Sequence, residues 1–121
     1  MRETHVSVRE ISVEEFDEMV ENHDDLLIVD VREAGEFQRG HIPGALLLPH
    51  GMLEGAMDDA RRLQLEQLLG GRLKTFVLCS HDGSRSAAAA RALQQIGFEK
   101  VYSLAGGIDR WQALGFALVT E

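Results

Sequence analysis

The chain has 121 residues and a formal net charge of −8, with 45% apolar and 26% charged residues, the composition of one soluble globular domain large enough to bury a core. The acidic balance excludes a broad nucleic-acid surface, which needs a basic footprint, so any anion site must be built locally. One cysteine excludes an intramolecular disulfide, no apolar stretch approaches a bilayer span, and the polar start MRETHVSVRE has no signal-peptide pattern, so the expected home is the cytoplasm.

In chain order, VSVREI (6–11) alternates as a short strand. SVEEFDEMVEN (12–22) predicts a helix: Ser12 and Glu15 have capping-box spacing, and Phe16, Met19 and Val20 form an apolar stripe. The acidic run over 14–25 reads as a solvated face. LLIVDV (26–31) is a continuous apolar run with one aspartate near its end, as in a parallel strand buried on both faces. REAGEFQRGHIPG (32–44) predicts a short helix or turn, and ALLLP (45–49) a short strand stopped by Pro49. A helix over about 57–69 is closed by Gly70 and Gly71. TFVLC (75–79) is a second buried strand, SRSAAAARALQQIG (84–97) a helix stopped by Gly97, KVYSL (100–104) a strand, and AGGIDRWQALG (105–115) a turn and short helix. Strands alternating with helices predict one α/β domain over 1–121, its mostly parallel sheet covered on both faces and its ligands beyond the strands' carboxyl ends. Asp30 and Arg32 stand at one strand end and Cys79 at another. If those strands are neighbours, Arg32 and Cys79 share a crevice.

The stretch CSHDGSRS (79–86) has two readings. Cys79 is either a reactive thiolate in a ring of backbone amides or a small core residue followed by a polar turn. The loop that follows favours the first. A helix beginning near Ser84 would aim the N–H groups of Ser80, His81, Asp82, Gly83, Ser84 and Arg85 at the sulfur, with Gly83 permitting the necessary backbone angle. The helix terminus is worth up to about 2 kcal/mol, enough to take a thiol from about 8.5 toward about 7. Arg85 then orients the loop or binds an oxyanion. His81 donates to substrate or is solvated. Ser84 and Ser86 donate to the sulfur or cap the helix. Asp82 points outward or caps. Asp30 and Arg32 support the loop, or form a structural ion pair. His41 and His50 read as turn residues and Trp111 as core. The five histidines lack zinc-type spacing, so no metal site is expected.

Three segments resemble the rhodanese-like domain family. LLIVDVREAGEFQRGHIPGALLLP (26–49) is similar to its first signature, VLCSHDGSRSAAAARALQQIGF (77–98) to its active-site strand, loop and helix, and VYSLAGGIDRWQALGFALV (101–119), with Leu104, Gly106, Gly107, Trp111 and Gly115, to its closing segment. The resemblance implies a three-layer α/β domain with a central, mostly parallel five-stranded sheet flanked by helices. In active members it implies a cysteine, here Cys79, that takes a sulfane sulfur from an anionic donor such as thiosulfate. The resulting persulfide, held by the amides of 80–85, passes its sulfur to a thiophilic acceptor, cyanide or a protein or low-molecular-weight thiol. No metal, organic cofactor, nucleic acid or membrane is implied. One departure stands out. Family members that transfer sulfur usually have four residues between cysteine and arginine, with glycine third after the cysteine. Counted from Cys79, five intervene and Gly83 is fourth, as though Asp82 were extra. A seven-residue loop is the size found in related phosphatases and arsenate reductases, although Asp82 brings a negative charge to it. Sulfur transfer is the expected function. Phosphatase or arsenate-reductase chemistry and a non-catalytic sulfur-binding or regulatory module are the alternatives.

Overall fold

The computed structural model describes residues 8–22, 26–53 and 59–120. The capping box closes as predicted: Ser12 N donates to Glu15 Oε1 (2.8 Å) and Glu15 N to Ser12 Oγ (3.0 Å). Helix α1 (Val13–Asn22) starts there, between strands β1 (Arg9–Ile11) and β2 (Leu26–Asp30). It buries Val13 and Phe16, and Met19 packs against the core. Val20, expected in the same stripe, is instead 48% exposed, because full burial along this helix ends at Phe16. There follow α2 (Ala34–Gln38), β3 (Leu46–Leu47), a 3-10 turn (His50–Leu53), α3 (Asp59–Leu69), β4 (Thr75–Cys79), α4 (Ser84–Gln95), β5 (Val101–Leu104) and α5 (Gly107–Ala113). Of the predicted elements, positions 6–7 of the first strand, 23–25 of the acidic run and 57–58 of the third helix lie outside the described residues.

The five strands form one sheet in the order β1-β5-β4-β2-β3, and every neighbouring pair is parallel. All five residues of β4 are buried, as a strand covered on both faces requires. Their side chains alternate between two cores. Phe76 and Leu78 join Ala89, Ala90 and Leu93 of α4 and Leu65 and Leu69 of α3. Val77 and Cys79 join Phe16 of α1 and Ile108 and Trp111 of α5. The period of two therefore puts Cys79 on the α1–α5 face and returns Ser80 to the α4 face. Trp111 is core, as expected, edge-on to Phe16 at 5.9 Å. His41 is structural: it is buried, stacked on Phe37 at 3.8 Å, with Nδ1 2.9 Å from Phe37 O.

Candidate active site

β2 and β4 are neighbours, and Asp30 lies opposite Cys79 in the pairing. Asp30 and Arg32 form a buried, forked ion pair. Arg32 Nη2 donates to Asp30 Oδ2 at 2.8 Å and Nε to Oδ1 at 3.0 Å, while Arg32 N also donates to Oδ1 at 3.0 Å. Nη2 reaches on to Gly40 O at 2.7 Å. Burial works against the Arg32 charge, but the Asp30 carboxylate outweighs it and leaves the guanidinium pKa raised. The pair ties the chain leaving β2 to the turn before His41.

The loop between β4 and α4 is organised around Ser80. Gly83 N donates to Ser80 Oγ at 3.2 Å and Ser86 N at 3.1 Å. Ser80 Oγ donates to Ser86 Oγ at 3.3 Å, Ser86 Oγ to Gly83 O at 3.1 Å, and Ser86 Oγ lies 2.8 Å from Ser103 Oγ on β5. If Ser86 gives its single proton to Gly83 O, it accepts from both Ser80 and Ser103, and its hydrogen-bonding capacity is full. All three serines are buried. Gly83 has φ 97°, as expected of the residue that turns the chain into α4. Asp82 faces outward and caps: Ser84 N (2.9 Å) and Ser84 Oγ (2.8 Å) both donate to its Oδ1. The bond from the Ser84 amide holds the Asp82 carboxyl below the usual carboxylate range.

The loop rests on α5. Ile108 N donates to Ser80 O at 2.9 Å and Asp109 N to His81 O at 3.0 Å, so two donors of the first turn of α5 find acceptors in the loop. Gly107 makes the approach possible. A Cβ there would collide with Ser80 O and come within 2.8 Å of His81 O and 2.9 Å of Gly83 N.

These contacts correct three expectations. The loop amides at Gly83 and Ser86 converge on the Ser80 hydroxyl, not on the Cys79 sulfur, because strand alternation points that sulfur to the opposite face of the sheet. Ser84 and Ser86 spend their hydrogen bonds on Asp82, Gly83, Ser80 and Ser103. The Cys79 thiol pKa is not lowered: burial among apolar side chains pushes it up, the Asp30 charge adds to the rise, and Arg32 opposes it only in part. The loop that closes is accordingly Ser80 to Arg85. Counted from Ser80, four residues (81–84) precede the arginine and Gly83 is third, the spacing that the rhodanese-like resemblance leads one to expect. The amides of Gly83 and Ser86 thus close a loop that begins at Ser80, and the expected seven-residue cradle beginning at Cys79 does not form.

Beside the loop lies a cleft of about 240 Å³ lined by Arg32, Glu36, Arg39, His81, Ile108 and Gln112 among others. Arg32 reaches it and Cys79 does not. His81 is half-exposed, with Nδ1 3.0 Å from Asp109 Oδ1. Arg85 pairs with Glu36 at 3.5 Å. The Glu36 carboxyl is held below its ordinary range, first by the Glu33 amide and then by Arg85 and Arg32. Arg39 has no ion pair among the described residues. Sequence reasoning missed Ser103, Glu36, Arg39 and the seating role of Gly107. The glycine spacing counted from Ser80 was the available signal for the loop.

The rhodanese-like domain family matches residues 12–114. The thiosulfate sulfurtransferase GlpE of Pseudoalteromonas translucida is 30% identical over 113 residues, 89% of this chain and 92% of that protein. YrkF of Bacillus subtilis is 34% identical over 105 residues, 87% of this chain. The chain spans about half the length of YrkF (51%) and nearly all of GlpE. A rhodanese-related protein from Thermoplasma volcanium superimposes with a TM-score of 0.71 at 26% identity, over 93% of this chain and 99% of that one. The family match spans most of the chain and the fold superposition covers 93% of it, and the chain belongs to the rhodanese-like domain family.

Proposed function

We propose that this domain is a non-catalytic rhodanese-like module, which holds a small sulfur-containing anion or a thiol-bearing partner in the cleft beside the loop without carrying sulfur on Cys79. One observation supports this above the rest: the loop amides are held by Ser80, while the thiol is buried in an apolar cluster. A buried thiol with a raised pKa is a poor nucleophile, since the thiolate is the reacting form. Ser80 does not replace it. An aliphatic hydroxyl needs an adjacent base to attack, and Ser80 Oγ has two amides and a hydroxyl as its partners. Among the cleft's charged groups Arg32 is paired with Asp30 and Glu36 with Arg85, so Arg39, which has no ion pair among the described residues, is the cation that supports anion binding on a chain of net charge −8.

Transfer of sulfur from thiosulfate through a Cys79 persulfide is the second reading. The relatives named as sulfurtransferases favour it. It requires the sulfur to leave the cluster formed by Val77, Ile108 and Trp111. Intact mass spectrometry after incubation with thiosulfate, beside Cys79→Ala, separates the two. The expected result is no mass gain in either protein, with calorimetry detecting thiosulfate binding that Arg39→Ala weakens. A gain of one sulfur atom in the parent alone, removed by cyanide, would establish the second reading.

A further inference from the structure

We propose that the chain forms a closed dimer through the amino-terminal end of its sheet, with α1 of each copy seated in a recess beside the turn 70–74 of the other. The recess is a cavity of about 580 Å³ lined by Glu66, Gly70, Gly71, Arg72, Leu73 and Lys74. It lies at the opposite end of the strands from the cleft of Arg32 and His81, which follow β2 and β4. Gly70 and Gly71 end α3 there without side chains, and a Cβ on Gly71 would meet nothing within 4 Å, so that side stands open. Leu73 is 76% exposed. Arg72 pairs with Glu66 at 3.4 Å and remains half-exposed, and Lys74 has no ion pair among the described residues. An apolar recess edged by two cations, on a chain of net charge −8, suits an acidic partner that presents an apolar side chain.

Helix α1 has that character. Asp17, Val20 and Glu21 are spaced i, i+3 and i+4, so they stand side by side, and all three are exposed, Val20 by 48%. Neither carboxylate has an ion pair among the described residues, and no basic residue stands in the last turn of the helix. The partner is a second copy because the geometry lets both contacts form at once. Leu26, which opens β2, pairs with Thr75, which opens β4. Helix α1 ends at Asn22, just before Leu26, and the turn 70–74 leads into Thr75, so both patches reach the same end of the sheet. They lie on opposite faces of it: α1 packs with α5, and α3 packs with α4. A two-fold axis in the plane of the sheet, running across the amino ends of the strands, exchanges those faces. It carries α1 of each copy to the recess of the other and closes the assembly at two. Asp17 and Glu21 then face Lys74 and Arg72, Val20 meets Leu73, and the two clefts open at the far ends. Two patches of this size make a weak dimer.

The inference does not depend on what the cleft holds. Sedimentation equilibrium of the parent from about 1 μM to about 1 mM should rise from the monomer mass of 13.4 kDa to twice that mass and no further. Leu73→Glu sets a carboxylate against Asp17 and Glu21, and Val20→Arg sets a guanidinium against Arg72 and Lys74. Each should raise the dimer dissociation constant by at least about tenfold. Both positions are exposed, and a urea midpoint near that of the parent establishes that each variant is folded. An equimolar mixture of the two variants should recover the dimer, because one contact is intact and the other joins the two introduced charges. Native mass spectrometry should show that species as one copy of each variant. A parent that stays monomeric, a parent that grows past two copies, a dimer that either variant leaves unchanged, or a mixture that stays monomeric overturns the proposal.

Discussion

Replacing Cys79 with alanine should change how stability depends on pH, in a direction that separates a buried thiol from a cradled one. The Cys79 pKa is raised in the folded protein, by burial first and the Asp30 charge second. A group with a raised folded-state pKa contributes its full stabilisation below the unfolded pKa, and loses it as pH rises toward the folded value. The unfolded thiol titrates near about 8.5. Above that the parent should lose stability relative to Cys79→Ala at about 1.4 kcal/mol per pH unit, or about 2.7 kcal/mol by about pH 10.5. All other titrating groups are common to both proteins, and the truncation cost is independent of pH, so the difference isolates the thiol. Urea unfolding of both proteins at about pH 7 and about pH 10.5 measures it. A thiol cradled by amides, with a folded pKa near about 7, would instead make the parent gain about 1.6 kcal/mol over the same interval. A constant or growing advantage for the parent would refute the burial argument.

Three further substitutions test the scaffold. Ser80→Ala removes the acceptor for two amides and should cost about 2–4 kcal/mol in chemical denaturation, with faster hydrogen exchange at Gly83 and Ser86. Asp30→Asn leaves the buried Arg32 charge without its counter-ion and should destabilise by about 3–5 kcal/mol; an effect near zero would mean that water reaches the guanidinium. Gly107→Ala forces a methyl group onto the loop carbonyls at a φ of 58°, so it should cost about 1–3 kcal/mol and raise exchange at Ile108 and Asp109.

The alternation of LLIVDV, TFVLC and KVYSL with amphipathic segments made the parallel sheet legible, and the Ser12–Glu15 spacing made the first helix start legible, because both signals are local. The outward, capping role of Asp82 was legible for the same reason. What misled was a boundary. TFVLC ends on a residue that is itself chemically reactive, and cysteine is common both in cores and in active sites. Which face a side chain takes at a strand end depends on where pairing stops, and here pairing with Asp30 runs through Cys79. The partnership of Ser80 with Ser103 joins residues on different strands, and no spacing announces it. The cleft cations Arg32 and Arg39 are brought together with His81 by the crossover from β2 to β4, again beyond the reach of local pattern.

The seating of the loop on α5 also limits how the chain can vary in length. Gly107 lies against the carbonyls of Ser80 and His81, and Gly83 lies so close that a Cβ on it would come 3.2 Å from Gly106 N and Leu104 O. Two backbones in such contact leave no slack for an inserted residue on either side. An insertion between Ser80 and Gly83 would have to lift the loop from α5, stranding the amides of Ile108 and Asp109, whereas the exposed turn at Arg72 and Leu73 before β4 has room to absorb one. A length change in this chain is therefore expected to be tolerated ahead of β4 and not within the loop.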